Sequence, residues 1–317
     1  CCAVARCESS GVNLMSVDMK TIKANGITIN YEDRGPADGK PLLLVNGYTS
    51  TMMSWPLPLM DGLKARGFRV IRYDNRDVGK SEKLKGIPNM GDVMKALKAG
   101  TKADIPYQLS DMAADGMGLL DALGIKRAHI MGISMGGMIV QSMAINHPEK
   151  IISATSIMSS TGNPDLPKAT DEAMVALQER PASQDREVVL RHNMKGRRVY
   201  QSPAYPMSDE ALYQKCATEY DHMYYPEGAA RQYAAIIADG SRVERLKKVH
   251  LPFLVIHGKA DPLVPVEGGI DTAKHVAGAK LELIDGMGHD LPVELCPRYV
   301  ELIADLADSA ERKAAAE

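Results

Sequence analysis

The sequence predicts an α/β fold in which a mainly parallel β-sheet is covered by helices. Apolar runs of strand length alternate with longer stretches of helical periodicity along most of the 317 residues. This alternation is typical of parallel sheets, because each crossover between parallel strands is usually a helix. It is interrupted once, between about residues 161 and 228. A chain of this length can form one large domain that carries an insertion.

Each strand is predicted from a short apolar or alternating run. The first two runs flank Asn25-Gly26, a dipeptide that favours a two-residue hairpin turn. The later runs are separated by an amphipathic segment between residues 47 and 68 and by helical stretches at 108–123, 136–147, about 231–249 and 266–276, and the last run is followed by a helix from about 297. The predicted strands are residues 17–24, 27–33, 41–47, 68–74, 127–133, 151–160, 251–258 and 279–285.

This pattern divides the chain into three regions. Residues 1–18 lack both the continuous apolar segment of a secretory signal and the pattern of a folded element, so we expect a disordered or non-native leader. Residues 19–160 and 229–310 are expected to form the sheet domain. Residues 161–228 contain no strand-like run and are rich in Pro, Tyr, Met and charged side chains, which indicates a mostly helical insertion.

The composition argues against several classes of partner. A net charge of −2 gives no basic surplus for nucleic acid, and no apolar run approaches the roughly 18 residues of a membrane-spanning helix. We therefore expect a cytoplasmic protein that binds neither nucleic acid nor membrane. The sequence does not specify its oligomeric state. The five cysteines match neither a disulfide framework nor a metal site, so we expect reduced thiols and no metal or other cofactor. They are residues 1, 2, 7, 216 and 296.

A GxSxG pentapeptide, GISMG at residues 132–136, is the strongest local motif. It follows a predicted buried strand and opens a predicted helix, as a nucleophile elbow does. The flanking glycines relieve crowding in the tight turn and leave Ser134 exposed at the end of the strand. An incidental serine in a glycine-rich turn is the alternative interpretation.

A serine hydroxyl needs an adjacent base to become a good nucleophile. His289 lies just after the last predicted strand and is preceded by two glycines, in GMGHD at 286–290, and the other seven histidines are explained by packing or by surface positions. The base in turn needs a carboxylate to orient it. Asp261 follows the penultimate strand, although an Asp-Pro turn or a helix cap would also explain it. Asp165 and Asp290 are the rival acids.

Backbone N–H groups are expected to complete the site. The N–H of Met135, directly after the nucleophile, and that of Tyr48, in the loop after the strand at 41–47, would form an oxyanion hole. Gly47 would let that loop approach the substrate closely. Side chains that could line a substrate pocket are Met52, Trp55, Tyr205 and Tyr224, although methionines at such spacings are more often core filling and the tyrosines could equally be packing within the insertion.

These motifs resemble those of the α/β-hydrolase family over roughly residues 19–307. GISMGG carries the elbow, HGKADPLVP the acid and GMGHDLP the base. YDNRDVGKS at 73–81 and the ending LPVELCPRYVELI resemble the branch of carboxylesterases and aclacinomycin methylesterase-like enzymes. Two positions depart from the family pattern: Asn46 stands where many relatives have His, and Asp77 stands where Gly is usual.

The resemblance implies a mostly parallel eight-stranded sheet, flanked by helices, with a helical cap inserted after the sixth strand at 161–228. It also implies a serine esterase that hydrolyses small to medium carboxylic esters through an acyl-enzyme, without a cofactor. The alternatives on the same triad are a C–C bond hydrolase, a lactonase, a thioesterase, an aminopeptidase and an acyltransferase. A non-catalytic protein that keeps the fold as a ligand pocket is the alternative from another class.

Overall fold

The computed structural model describes residues 18–316 and contains one sheet of eight strands. All eight predicted strands are present, with their bounds moved by a few residues. The strands are β1 (Lys20–Ala24), β2 (Ile27–Arg34), β3 (Lys40–Val45), β4 (Phe68–Tyr73), β5 (Ala128–Ile133), β6 (Ile151–Ile157), β7 (Phe253–Gly258) and β8 (Lys280–Ile284).

The predicted mostly parallel arrangement is confirmed. The strands lie in the order β1-β2-β4-β3-β5-β6-β7-β8. β2 pairs antiparallel with β1 and with β4, and every other neighbouring pair is parallel. The loops that follow β3 to β8 therefore leave the sheet at the same edge, which is where ligands bind in open α/β sheets.

The opening hairpin has the turn that its dipeptide favours. Asn25 and Gly26 have φ values of 47° and 78°, so both central residues are left-handed, as a type I′ turn requires. The register follows directly, since Ala24 pairs with Ile27.

Helices cover both faces of the sheet. The predicted helical stretches are all helical, and the structure adds one helix that the sequence reading missed, at residues 90–99. Its local signals are ordinary: the Asn89 side chain caps its first N–H groups, and Gly100 ends it with a φ of 65°. The helices are α1 (Leu57–Ala65), α2 (Met90–Ala99), α3 (Leu109–Ala122), α4 (Met135–Asn146), α5 (Asp171–Gln178), α6 (Arg186–Tyr200), α7 (Asp209–Met223), α8 (Gly228–Asp239), α9 (Val243–Leu246), α10 (Glu267–His275) and α11 (Cys296–Ala316), with short 3₁₀ turns at Met52–Ser54, Pro148–Lys150 and Val293–Leu295.

The core has two halves because neighbouring side chains of a strand point to opposite faces. Leu43 of β3 packs on the face covered by α3 and α4. Leu42 and Leu44 pack on the other face, against α1 and α11. Burial on both faces holds the central strands rigid, and with them the loops at their carboxyl ends.

Helices α5 to α7 lie in residues 161–228, which we call the cap segment. α6 and α7 share a small apolar cluster of their own, separate from the sheet core. The bounds of the cap segment as a domain stay a prediction. The leader predicted at residues 1–18 lies outside the described residues, apart from Asp18. The buried members of the α6–α7 cluster are Leu190, Leu212, Cys216 and Ala217.

None of the helices within residues 18–316 combines the length and the apolar character needed to cross a bilayer.

Candidate active site

Ser134 lies at the sharp turn between β5 and α4. Its φ of 53° and ψ of −121° are unfavourable for a residue with a Cβ, and this strain is typical of a nucleophile elbow. The turn is held by the Ser134 N–H, which donates to the Ile157 carbonyl at 2.9 Å. The hydroxyl consequently stands beyond the end of the strand, at the amino end of a 12-residue helix.

The glycines on either side of Ser134 occupy places that no side chain could fill. A Cβ on Gly132 would lie 2.1 Å from the Gly136 carbonyl oxygen, and one on Gly136 would lie 2.1 Å from the Val45 oxygen. The two glycines thus allow α4 to begin directly against β3 and β5. The motif therefore requires glycine at these two positions, because a side chain at either one would clash with the backbone.

The side chains of Ser134, His289 and Asp261 form a continuous chain of hydrogen bonds. The Ser134 hydroxyl lies 2.9 Å from His289 Nε2, and His289 Nδ1 lies 2.7 Å from Asp261 Oδ2. An ionised carboxylate only accepts hydrogen bonds, so Nδ1 carries the proton and Nε2 is free to accept one from the hydroxyl. The three residues come from the ends of β5, β8 and β7, which are neighbouring parts of one sheet edge.

Asp261 has contacts that fit both of the roles that its sequence context allowed. Its Oδ1 accepts from the N–H groups of Leu263 and Val264, at 2.9 and 2.8 Å, which is the turn-forming role. Its Oδ2 faces His289. Burial acts to raise the pKa of Asp261, but the charge of His289 and the hydrogen bonds of the two nearby histidines outweigh it and hold that pKa below its usual value.

A second histidine contacts the acid. His257 is fully buried, its Nε2–H donates to the Val264 carbonyl at 2.8 Å, and the same nitrogen lies 3.5 Å from Asp261 Oδ2. Packing alone was the interpretation of His257 from the sequence, because it lies within a predicted strand. The structure adds a contact with the carboxylate, and the spacing of four residues between the two was the available signal.

The rival acids lie elsewhere. Asp165 is exposed in the loop after β6. Asp290 accepts hydrogen bonds at Oδ1 from both the N–H and the hydroxyl of Ser202 in the cap segment. Neither carboxylate forms a hydrogen bond with the His289 ring among the bonds found in residues 18–316.

The loop after β3 runs directly beside Ser134. A Cβ on Gly47 would lie 3.3 Å from Ser134 Cβ, so the loop passes close to the serine, and the approach of Gly47 to a substrate stays a prediction. The neighbouring Thr49 N–H donates to the side chain of Gln232 at 2.9 Å, and Gln232 in turn donates to the Arg76 carbonyl at 3.0 Å. Gln232, buried in α8, therefore fixes the loop that carries Tyr48, and no sequence pattern pointed to it.

Asn46 fills a structural position. It is fully buried, its amide oxygen accepts from the Ser54 hydroxyl at 3.2 Å, and its side-chain NH₂ group lies 3.4 Å from the Tyr73 carbonyl. These contacts tie the loop after β3 to the end of β4.

Asp77 also fills a structural position. It has a φ of 66°, a value that favours the glycine usual at this place. Its buried carboxylate is paired bidentately with Arg231 of α8, at 2.8 and 2.9 Å.

A cavity of about 330 Å³ opens above Ser134 and His289, between the sheet edge and the cap segment. Of the predicted pocket residues, Gly47 and Tyr224 line it. Met52, Trp55 and Tyr205 do not. Met52 and Trp55 are buried beneath the loop, where Trp55 packs in the core shared with α1 and α11, and Tyr205 packs against the same core. For these three, core filling is the correct interpretation.

The cap side of the cavity carries several charged side chains. Glu219 lies between two cations: Arg197 donates to it at 2.7 Å, and Lys215 Nζ lies 3.6 Å away. Lys215 also donates to the Ser54 carbonyl at 2.7 Å, and burial lowers the pKa of this lysine. Arg180 lines the same cavity.

Within residues 18–316 no group of three or more His, Cys, Asp or Glu side chains has the geometry to hold a metal ion.

Comparison with known proteins identifies the family. The family model described as the alpha/beta hydrolase fold matches residues 40–294. Rhodomycin D methylesterase DnrP from Streptomyces peucetius is 25% identical over 293 residues, covering 86% of this chain and 93% of the relative. The 2-hydroxymuconate semialdehyde hydrolase of Pseudomonas sp. strain CF600 is 27% identical, covering 93% of this chain and 95% of the relative.

A solved structure supports the fold. The meta-cleavage product hydrolase CumD from Pseudomonas fluorescens IP01 superimposes with a TM-score of 0.70 at 20% identity, covering 92% of this chain and 98% of that one. The family match spans far more than half of the sequence and includes the elbow, the acid and the base. The chain is a hydrolase that belongs to the α/β-hydrolase family.

Proposed function

We propose that this protein hydrolyses carboxylic esters, with Ser134 as nucleophile, His289 as general base and Asp261 as the residue that orients the base. The observation that carries the proposal is the hydrogen-bonded chain of 2.9 and 2.7 Å through these three side chains, which lies in the floor of a cavity. Its support from outside the structure is the similarity to a methylesterase over most of both chains.

In the proposed mechanism, the Ser134 hydroxyl attacks the ester carbonyl carbon while its proton passes to His289 Nε2. The carbonyl oxygen of the ester thereby becomes an oxyanion. His289 then returns the proton to the leaving alcohol, and the acyl group stays on Ser134. Water repeats the sequence against the acyl-enzyme and releases the carboxylic acid and free Ser134.

The oxyanion would be stabilised by the backbone N–H groups of Met135 and Tyr48. Among the hydrogen bonds of residues 18–316, neither N–H group has a partner. Met135 also starts α4, so the positive end of the helix dipole adds to the stabilisation. Removal of one such donor typically costs about 10² to 10³ in kcat.

The size of the cavity supports small to medium esters. A volume of about 330 Å³ is at the lower end of the range for small-molecule sites, roughly 300–1,000 Å³. Its walls mix apolar side chains, such as Leu212 and Met223, with the charged residues of the cap segment.

C–C bond hydrolysis on the same triad is the second candidate. It is favoured by the relatives named as 2-hydroxymuconate semialdehyde hydrolase and 2-hydroxy-6-oxononadienedioate hydrolase. Both reactions would use the same base and oxyanion donors, so the triad geometry does not separate them. Parallel assays with p-nitrophenyl esters of graded chain length and with a vinylogous 1,5-diketone would do so.

Replacement of Ser134 by Ala tests the proposal. We expect ester hydrolysis to fall by at least about 10⁴ with the fold unchanged, because the nucleophile is removed. Ser153→Ala is the matched control: this buried serine bonds His129 near the other end of the sheet and should keep full activity. Substantial turnover by Ser134→Ala would contradict the assignment. Absence of labelling of wild-type Ser134 by an organophosphate would favour a non-catalytic binding protein.

A further inference from the structure

A short stretch of the cap segment, residues 200–204, is hydrogen-bonded to the loop that carries His289. The backbone N–H of His289 itself donates to the Tyr200 carbonyl at 2.8 Å, and the Ala204 N–H donates to the Gly286 carbonyl at 3.2 Å. The loop at 286–290 is thus held from the cap side as well as by β8.

Ser202 lies in the middle of this stretch and has no exposed surface. Its hydroxyl oxygen accepts from the Gly288 N–H at 2.8 Å and donates its proton to Asp290 Oδ1. Its own N–H donates to the same Asp290 oxygen at 3.1 Å. One buried side chain consequently fixes the residues immediately before and after His289.

The glycines of the loop show how closely the two segments fit. A Cβ on Gly288 would lie 2.5 Å from the Tyr200 carbonyl oxygen, and one on Gly286 would lie 2.3 Å from Ala204 Cβ. Side chains at either position would push the stretch away and break its hydrogen bonds. The motif GMGHD therefore supplies a docking surface for the cap segment as well as the base.

The surroundings of Asp290 explain the importance of the hydrogen bonds that it accepts from Ser202. Asp290 is half-buried, and burial raises its pKa despite the two hydrogen bonds from Ser202 and the nearby charges of His289 and Lys215. A carboxylate in such a place is costly unless its lone pairs are used. Without the Ser202 hydroxyl, the Asp290 carboxylate would lose a hydrogen bond, and we expect its side chain to shift. Because His289 is the residue directly before Asp290, we expect such a shift to displace the imidazole as well.

We propose that Ser202 is a positioning residue for His289: through Asp290 and Gly288 it holds the imidazole at hydrogen-bonding distance from the Ser134 hydroxyl. The inference rests on the proposed function, since it concerns the base of that reaction. It makes the cap segment part of the catalytic geometry, in addition to a wall of the cavity.

The test compares Ser202→Ala with wild type and with the control Ser153→Ala in two measurements. The first is kcat and KM for a p-nitrophenyl ester. The second is the rate of Ser134 labelling by a small organophosphate, which depends on the base but makes little use of the cavity. We expect kcat and the labelling rate to fall by about 10- to 100-fold, because displacement of a catalytic group by about 1 Å has effects of this size, with KM within about twofold.

Asp290→Ala cuts the same connection from the other side and provides the test should Ser202→Ala fail to fold. The double variant should be little worse than either single one, because the two residues act through one link. Wild-type labelling rates in both single variants would overturn the positioning role. Equal losses of kcat and labelling in Ser153→Ala would also overturn it, since any buried serine would then suffice. Wild-type protein that is never labelled would instead overturn the proposed function.

Discussion

Replacement of Asp261 by Asn probes the proposed mechanism most sharply, because the structure dictates how the amide must sit. Asp261 Oδ1 accepts two backbone N–H groups, from Leu263 and Val264. An asparagine can satisfy both only with its carbonyl oxygen, so its NH₂ group must face His289. That group donates to Nδ1, and the ring then carries its proton on Nε2, where it no longer accepts the proton of Ser134.

The expected cost is large although only one atom changes. In a Ser-His-Asp triad, an amide in place of the orienting carboxylate leaves the geometry intact and lowers kcat by about 10⁴. Each factor of ten corresponds to about 1.4 kcal/mol of barrier, so the loss amounts to roughly 5 to 6 kcal/mol. The oxyanion donors are untouched, and KM should stay within a few-fold of wild type.

The assay is steady-state hydrolysis of a p-nitrophenyl ester at neutral pH, with Asp165→Asn as the matched control. Asp165 is one of the two rival acids, and it is exposed. Its substitution should leave kcat unchanged. A kcat for Asp261→Asn within tenfold of wild type would refute the reasoning. A large loss in Asp165→Asn with none in Asp261→Asn would move the acid to the other loop.

Two further predictions concern stability. Arg231→Met leaves the buried Asp77 carboxylate without its bidentate partner and should lower the free energy of unfolding by about 3–5 kcal/mol in urea titrations; the exposed Arg191→Met should change it little, and an equal effect of both would contradict the role of the pair. Because the pKa of Asp261 is depressed in the fold, its contribution is present above the usual value of 3.8 and is lost as the pH falls below that value and through the folded pKa. The amount by which wild type is more stable than Asp261→Asn should therefore shrink as the pH falls below about 4, and a difference that grows below about pH 4 would contradict the lowered pKa.

The strands and the three residues of the proposed triad could be located from the sequence because their signals are local. Buried strands leave continuous apolar runs, and parallel pairing brings their carboxyl ends to one edge. Ser134 directly follows such a run, whereas Asp261 and His289 lie in the loops that follow β7 and β8. Their proximity then follows from topology, and no information about side-chain packing was needed.

The pocket could not be predicted in the same way. Met52 and Trp55 lie in the loop near the elbow and look like pocket residues, yet they are buried beneath that loop. Which side of a loop faces the cavity depends on contacts made far away in sequence, such as the bonds that tie Asn46 to Ser54 and Tyr73. An irregular loop has no sequence periodicity from which the side that faces the cavity could be predicted.

The same reasoning explains why the cap segment and α8 contribute where the sequence gives least warning. Gln232, Ser202 and Arg231 come from residues 200–232, yet their partners are the loops after β3, β8 and β4. Each is a buried polar side chain that uses the free backbone or carboxylate groups which parallel strands leave at their ends. A loop that must present catalytic groups cannot satisfy its own polar atoms within the sheet, so another element has to do so. The cap segment and α8 provide these bonds, and for this reason changes in either should affect the rate of the chemistry as well as the choice of substrate.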